Sequence, residues 1–85
     1  MNNIVQRRIA ATGSYTALSA TPLIGTFDIS CEPGNAAAIN FLGDDGVSDV
    51  PWQPGEWHHF EHIDLSTIKI KGTVGDYVTV VGGTW

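Results

Sequence analysis

His58, His59 and His62 form the one local cluster of metal-ligand side chains, with Glu56, Glu61 and Asp64 around them. On a helix, His58 and His62 would share a face and could chelate zinc. The Pro54-Gly55 turn just before them implies an extended strand instead. There they lie about 13 Å apart at a rise of about 3.3 Å per residue, too far for one ion. His59 and Glu61 share the opposite face, but two ligands do not close a site. The cluster reads as structural or interfacial, and able to respond to pH because imidazole changes charge in the physiological range. Ser48 or Ser66 with His62 and Asp64 satisfies the residue list of a nucleophilic triad and nothing more. Asp44, Asp45 and Asp49 lack EF-hand spacing and read as a polar hairpin tip. Residues 72–75 have no following lysine and open no helix, so they are not a phosphate loop. Cys31, the only cysteine, belongs to the apolar alternation Phe27, Ile29, Cys31 and is expected as a small core residue. No catalytic residue, metal or cofactor is expected.

The aromatic and basic side chains point to recognition. Trp52 and Trp57 flank the Pro54-Gly55 turn, and Trp85 follows Gly82-Gly83. A tryptophan at a turn serves as a core plug, a sugar platform or an interface anchor. For Trp85, beyond a two-glycine hinge, a partner surface is the expected home. Arg7 and Arg8 are two of only four basic residues and could meet an acidic protein surface. The expected interface set is therefore Arg7, Arg8, Trp52, Trp57 and Trp85.

The elements that must position these residues are strands. Residues 26–32 put Phe27, Ile29 and Cys31 on one face and Thr26, Asp28, Ser30 and Glu32 on the other, a half-buried antiparallel strand. Pro33-Gly34 turns the chain, and residues 36–42 are expected as the hairpin partner. A strand over 47–52 is confined to a sheet edge by Pro51. Strands follow over 57–63, 67–71, with Ile68 and Ile70 inward, and 77–81. Residues 82–85 read as a tail, and residues 1–14 as an arm or an edge strand. With segments 4–11 and 15–20, the sum is about seven or eight short strands, the pattern of a small antiparallel β-sandwich or jelly roll.

At 85 residues the chain makes one domain, residues 1–85. So small a core usually needs reinforcement, and with a single cysteine no internal disulfide is available, which leaves oligomerisation. A net charge of −5 offers no basic stripe for nucleic acid. No apolar run approaches the roughly 20 residues of a membrane helix, and the first residues are too polar for a signal-peptide core. Synthesis and folding in a reducing cytoplasm are expected.

Three segments carry a resemblance. They are Val50-Pro51-Trp52-Gln53-Pro54-Gly55-Glu56, then Asp64-Leu65-Ser66-Thr67-Ile68-Lys69-Ile70-Lys71-Gly72-Thr73, then Gly75-Asp76-Tyr77-Val78-Thr79-Val80-Val81-Gly82-Gly83. This succession resembles small accessory proteins of tailed-phage virions. The resemblance implies a β-sandwich or jelly roll that acts as a virion structural protein, made in the host cytoplasm. Its implied role is a capsid decoration (cement) protein that binds and stabilises the shell. The partners expected are the major capsid protein, other virion proteins and further copies of the chain, guessed as a trimer, with neither nucleic acid nor membrane. The rival expectation is a glycan- or receptor-binding module of a phage tail or fibre.

Overall fold

The computed structural model describes residues 3–84. Eight strands run in the order β1 (Asn3–Ala10), β2 (Thr16–Ala17), β3 (Ile24–Cys31), β4 (Ile39–Leu42), β5 (Asp49–Trp52), β6 (Trp57–Asp64), β7 (Lys69–Lys71) and β8 (Tyr77–Thr84). A single 3₁₀ turn, Leu65–Thr67, joins β6 to β7, and the described residues contain no α-helix. The strands form two four-stranded antiparallel sheets, ordered β1-β8-β3-β6 and β2-β7-β4-β5. Strand β1 pairs with β8, β2 with β7, β3 with β6 and β4 with β5. That is one long hairpin rolled on itself, the jelly roll.

The roll follows from the alternation of side chains. Phe27, Ile29 and Cys31 of β3 and Val78 and Val80 of β8 face inward from the first sheet. They meet Ile39, Phe41, Trp52 and Ile70 of the second, with Leu65 closing one end. The strand expected over 26–32 is therefore present with its predicted core face, and Pro51 lies on an edge strand as expected.

Two expectations fail. Residues 36–42 are not the hairpin partner of β3: only Ile39–Leu42 is a strand, and it belongs to the opposite sheet, paired with β5 and β7. A Pro-Gly turn serves a crossing between sheets as well as a hairpin, and the neighbours of β3 come from much later in the chain. Of the arm or edge strand expected over residues 1–14, the described residues form the edge strand: β1 ends its sheet and pairs with β8 along its whole length, and Val5 and Ala11 are buried.

Gly82 and Gly83, expected as a flexible tail, lie inside β8, bonded to strands on both sides. A β-carbon on Gly82 would lie 2.0 Å from the Thr26 carbonyl oxygen, and one on Gly25 2.2 Å from that of Gly83. The Phe27 ring fills the space both glycines leave, within 2.9 Å of each such β-carbon.

Strand β6 carries a bulge that the sequence reading lacked. Its register against β3 shifts between Gly25 and Phe27, and His62 there adopts φ 55°. Phe60 and Ile63, three residues apart, would face opposite sides of a regular strand. The extra residue lets both pack on the core.

Carboxylates fasten the loops. Buried Asp76 accepts from the backbone amides of Ala36 (2.9 Å) and Ala37 (3.2 Å). Asn35 exchanges two hydrogen bonds with the Tyr77 backbone beside it. Asp76→Ala is expected to lose about 2–3 kcal/mol in a urea melt, since bonds to a charged acceptor contribute about 1.5–3 kcal/mol each. Asp76→Asn, which keeps one acceptor oxygen, is expected to lose about half as much. A loss below about 0.5 kcal/mol in the alanine variant would mean that Asp76 does not hold this loop.

Candidate functional site

The outward side chains of the β1-β8-β3-β6 sheet form one continuous face. Register sets its rows: Trp57 of β6 opposes Ser30 of β3, which opposes Thr79 of β8, which opposes Arg8 of β1. The next row runs His59, Asp28, Val81, Gln6. Ser30 and Thr79 share a hydroxyl hydrogen bond of 2.6 Å. Trp57 is 62% exposed, Val81 49%, Ile4 78% and Ile24 60%, four large apolar groups on a face otherwise mostly polar. Asp28, Ser30, Trp57 and Val81, with Pro33 and Gly55 beyond the strand ends, line a shallow groove of ≈ 440 Å³.

Ion pairs frame this face. The Arg8 guanidinium bonds Glu32 through two nitrogens, at 2.7 and 3.0 Å, and lies 3.6 Å above the Tyr77 ring. The pairing raises the Arg8 pKa and holds Glu32 below the usual carboxylate range. His59 Nδ1 meets Asp28 at 2.6 Å, with Glu61 at 3.7 Å from its other nitrogen. His58, on the inward parity, bonds Glu56 at 2.7 Å and packs edge-on against Trp52.

Of the expected interface set, Arg8 and Trp57 lie on this face, and Arg7 is exposed on β1 with its side chain on the other parity. Trp52 does not belong to the set. It is 7% exposed, stacked on Phe41 at 3.7 Å between ring centroids, and so faces the core and leaves little surface for a protein partner. The alternation that puts Pro51 outward turns Trp52 in. Trp85 lies outside the described residues.

The chemistry considered for the other polar clusters resolves into structural bonds. Asp45 accepts from the Ser48 hydroxyl and from the amides of Ser48 and Val47, which lowers its pKa to about 2 and occupies both oxygens within its own loop. Ser66 donates from both its amide and its hydroxyl to Asp64, which also accepts from the Leu23 amide. The Cys31 thiol is pushed up to about 11 by burial, the opposite of a reactive thiolate. Among the described residues no three His, Cys, Asp or Glu side chains converge on a metal position.

Four carboxyls have lowered pKa values: Glu32 through Arg8, Glu56 first through His58, Asp64 first through the Leu23 amide, and Asp45 first through the Ser48 hydroxyl. A group whose pKa is depressed on folding stabilises the fold above its unfolded value, about 4, and loses that contribution as pH falls through the folded value. The melting temperature should therefore fall progressively below about pH 4. Asp64→Asn should flatten part of that decline, and a melting temperature constant down to pH 2 would contradict the assignment.

Comparison with known proteins finds no matching family model, no matching curated protein and no matching solved structure. What the face does is therefore argued from its own side chains.

Proposed function

We propose that the chain is a binding domain that docks on other protein surfaces through the outer face of its β1-β8-β3-β6 sheet. In this reading it serves as a tailed-phage virion structural protein, a capsid decoration protein on the shell. The observation that carries the docking is the exposure of Trp57, Val81 and Ile4 on one rigid sheet face, interleaved with Arg8, Asp28 and His59. Aromatic anchors with arginine beside them are the composition of protein-recognition patches. Four strands of up to eight residues give a face of about 20 by 26 Å, roughly 500 Å². With the partner's matching area added, that reaches the roughly 1,000 Å² total of a minimal specific interface. The virion setting is supported by the residue pattern over 50–83.

A glycan module would present two coplanar tryptophans beside polar groups. With Trp52 in the core, Trp57 is the exposed tryptophan among the described residues. The test is to add the purified chain to tailed-phage heads stripped of accessory proteins and measure bound chain against free. Saturable binding in fixed ratio to the major capsid protein is expected. Absence of binding to shells, with binding to an oligosaccharide array, would replace this reading with the glycan one.

A further inference from the structure

Of the four sheet edges, three are closed to further strands. Strand β2 has two residues, β5 carries Pro51, and β6 is bent by the bulge at His62. Strand β1 has none of these devices: eight residues in unbroken register with β8, without proline, glycine or bulge. Of its two charges, Arg8 is held flat on its own sheet by Glu32 and Tyr77, and Arg7, exposed on the other parity, is the one that a pairing strand must accommodate.

The register tells which amides face outward. The Ala11 amide donates to the Asp76 carbonyl, continuing the β1–β8 pairing, and the Glu32 amide donates to the Tyr77 carbonyl on the other side of β8. In an antiparallel ladder the bonded pairs alternate. Odd-numbered residues of β1 thus bond to β8, whereas Ile4, Gln6, Arg8 and Ala10 turn their N–H and C=O groups to the open edge.

We infer that β1 pairs antiparallel with β1 of a second copy, about a two-fold axis at Gln6, joining two sheets into one. Two-fold pairing requires residues of equal parity to oppose each other. Centred on Gln6, it sets exposed Ile4 against Arg8 of the partner subunit, so that an apolar side chain covers an arginine stem, and it places Arg7 of the partner subunit opposite Val5 instead of opposite another arginine. Centred on Arg7, it would oppose two like charges directly, which is destabilising. The occupant is a second copy because, among the described strands, β1 alone offers an open edge that can reciprocate. The pairing is made by the backbone of the edge, and its Ile4–Arg8 contact continues the outer face from one copy into the next. It gives a two-fold assembly instead of the three-fold one expected from the sequence.

Gln6→Pro separates this edge from the fold. It removes an outward N–H while leaving the β1–β8 bonds intact, whereas Arg7→Pro would remove an internal one. In sedimentation equilibrium up to about millimolar chain, the wild type is expected to reach twice 9.1 kDa, with dissociation on the order of micromolar, and Gln6→Pro to remain at 9.1 kDa. Amide exchange provides the second readout, which does not depend on the variant folding. The amides of Ile4, Gln6 and Arg8 should be protected at high concentration and released on dilution, while those of Val5, Arg7 and Ile9 stay protected throughout. A wild type monomeric across that range overturns the inference. So does a dimer in which the even-numbered amides exchange freely, and so does protection of those amides that arises only when phage shells are added to monomeric chain.

Discussion

Gly82→Ala is expected to unfold the domain, or to lower its stability by at least about 4 kcal/mol. Overpacking a core ordinarily costs about 1–3 kcal/mol because side chains shift to admit the new atoms. Here the obstacle is backbone: the new β-carbon would lie 2.0 Å from the Thr26 carbonyl oxygen and 2.8 Å from the Phe27 α-carbon. Strand β3 cannot retreat without releasing β8, because both are central strands of the sheet. A chain of this length has roughly 4–13 kcal/mol of total stability, so the loss approaches the whole. Gly13→Ala is the control, since a β-carbon there meets nothing within 4 Å, and it should be neutral or slightly stabilising. Urea melts of the two variants check both. If Gly82→Ala melts like the wild type, residues 82–84 are the loose tail that two adjacent glycines suggest.

The second large effect is expected at Trp52. Its ring stacks on Phe41, lies near-parallel to Phe60 at 6.3 Å and receives the edge of His58. It also walls an apolar cleft of ≈ 220 Å³ bounded by Ile29, Phe41, Val50, Phe60 and Ile68. Trp52→Ala would enlarge that cleft into a cavity the surrounding strands cannot close, since β5 is held by β4 on one side only. A loss of about 3–5 kcal/mol in urea melts is expected, as for other buried aromatic truncations. A loss below about 1 kcal/mol would return Trp52 to the surface role its position beside a turn had suggested.

These two positions mark what the sequence conveys and what it hides. Strict alternation over residues 26–32 was enough to place Phe27, Ile29 and Cys31 in the core, and Pro51 was enough to place β5 on an edge, because each rests on local stereochemistry. The partner of β3 was hidden because the rolled hairpin brings β6 and β8 to it from far along the chain, and the Pro33-Gly34 turn is compatible with either path. Gly82-Gly83 read as a hinge because close approach of another backbone leaves the same residue signature as flexibility. The bulge at His62 did leave a trace, the three-residue spacing of Phe60 and Ile63, which a regular strand cannot reconcile with one core. In the candidate site, the exposure of Trp57 and the burial of Trp52 followed from strand parity, yet two tryptophans flanking one turn look alike until the register of β5 and β6 is known.

The measurement that bears most directly on docking through the outer face is made on one variant, Trp57→Ala, read twice. Its occupancy on tailed-phage heads should fall at least about thirtyfold, as for an anchor contributing 2 kcal/mol or more. Its melting temperature as an isolated domain should stay within about 2 °C of the wild type, because the ring is 62% exposed and outside the core. Unchanged occupancy on shells that bind the wild type, whatever the melting temperature, would contradict the account.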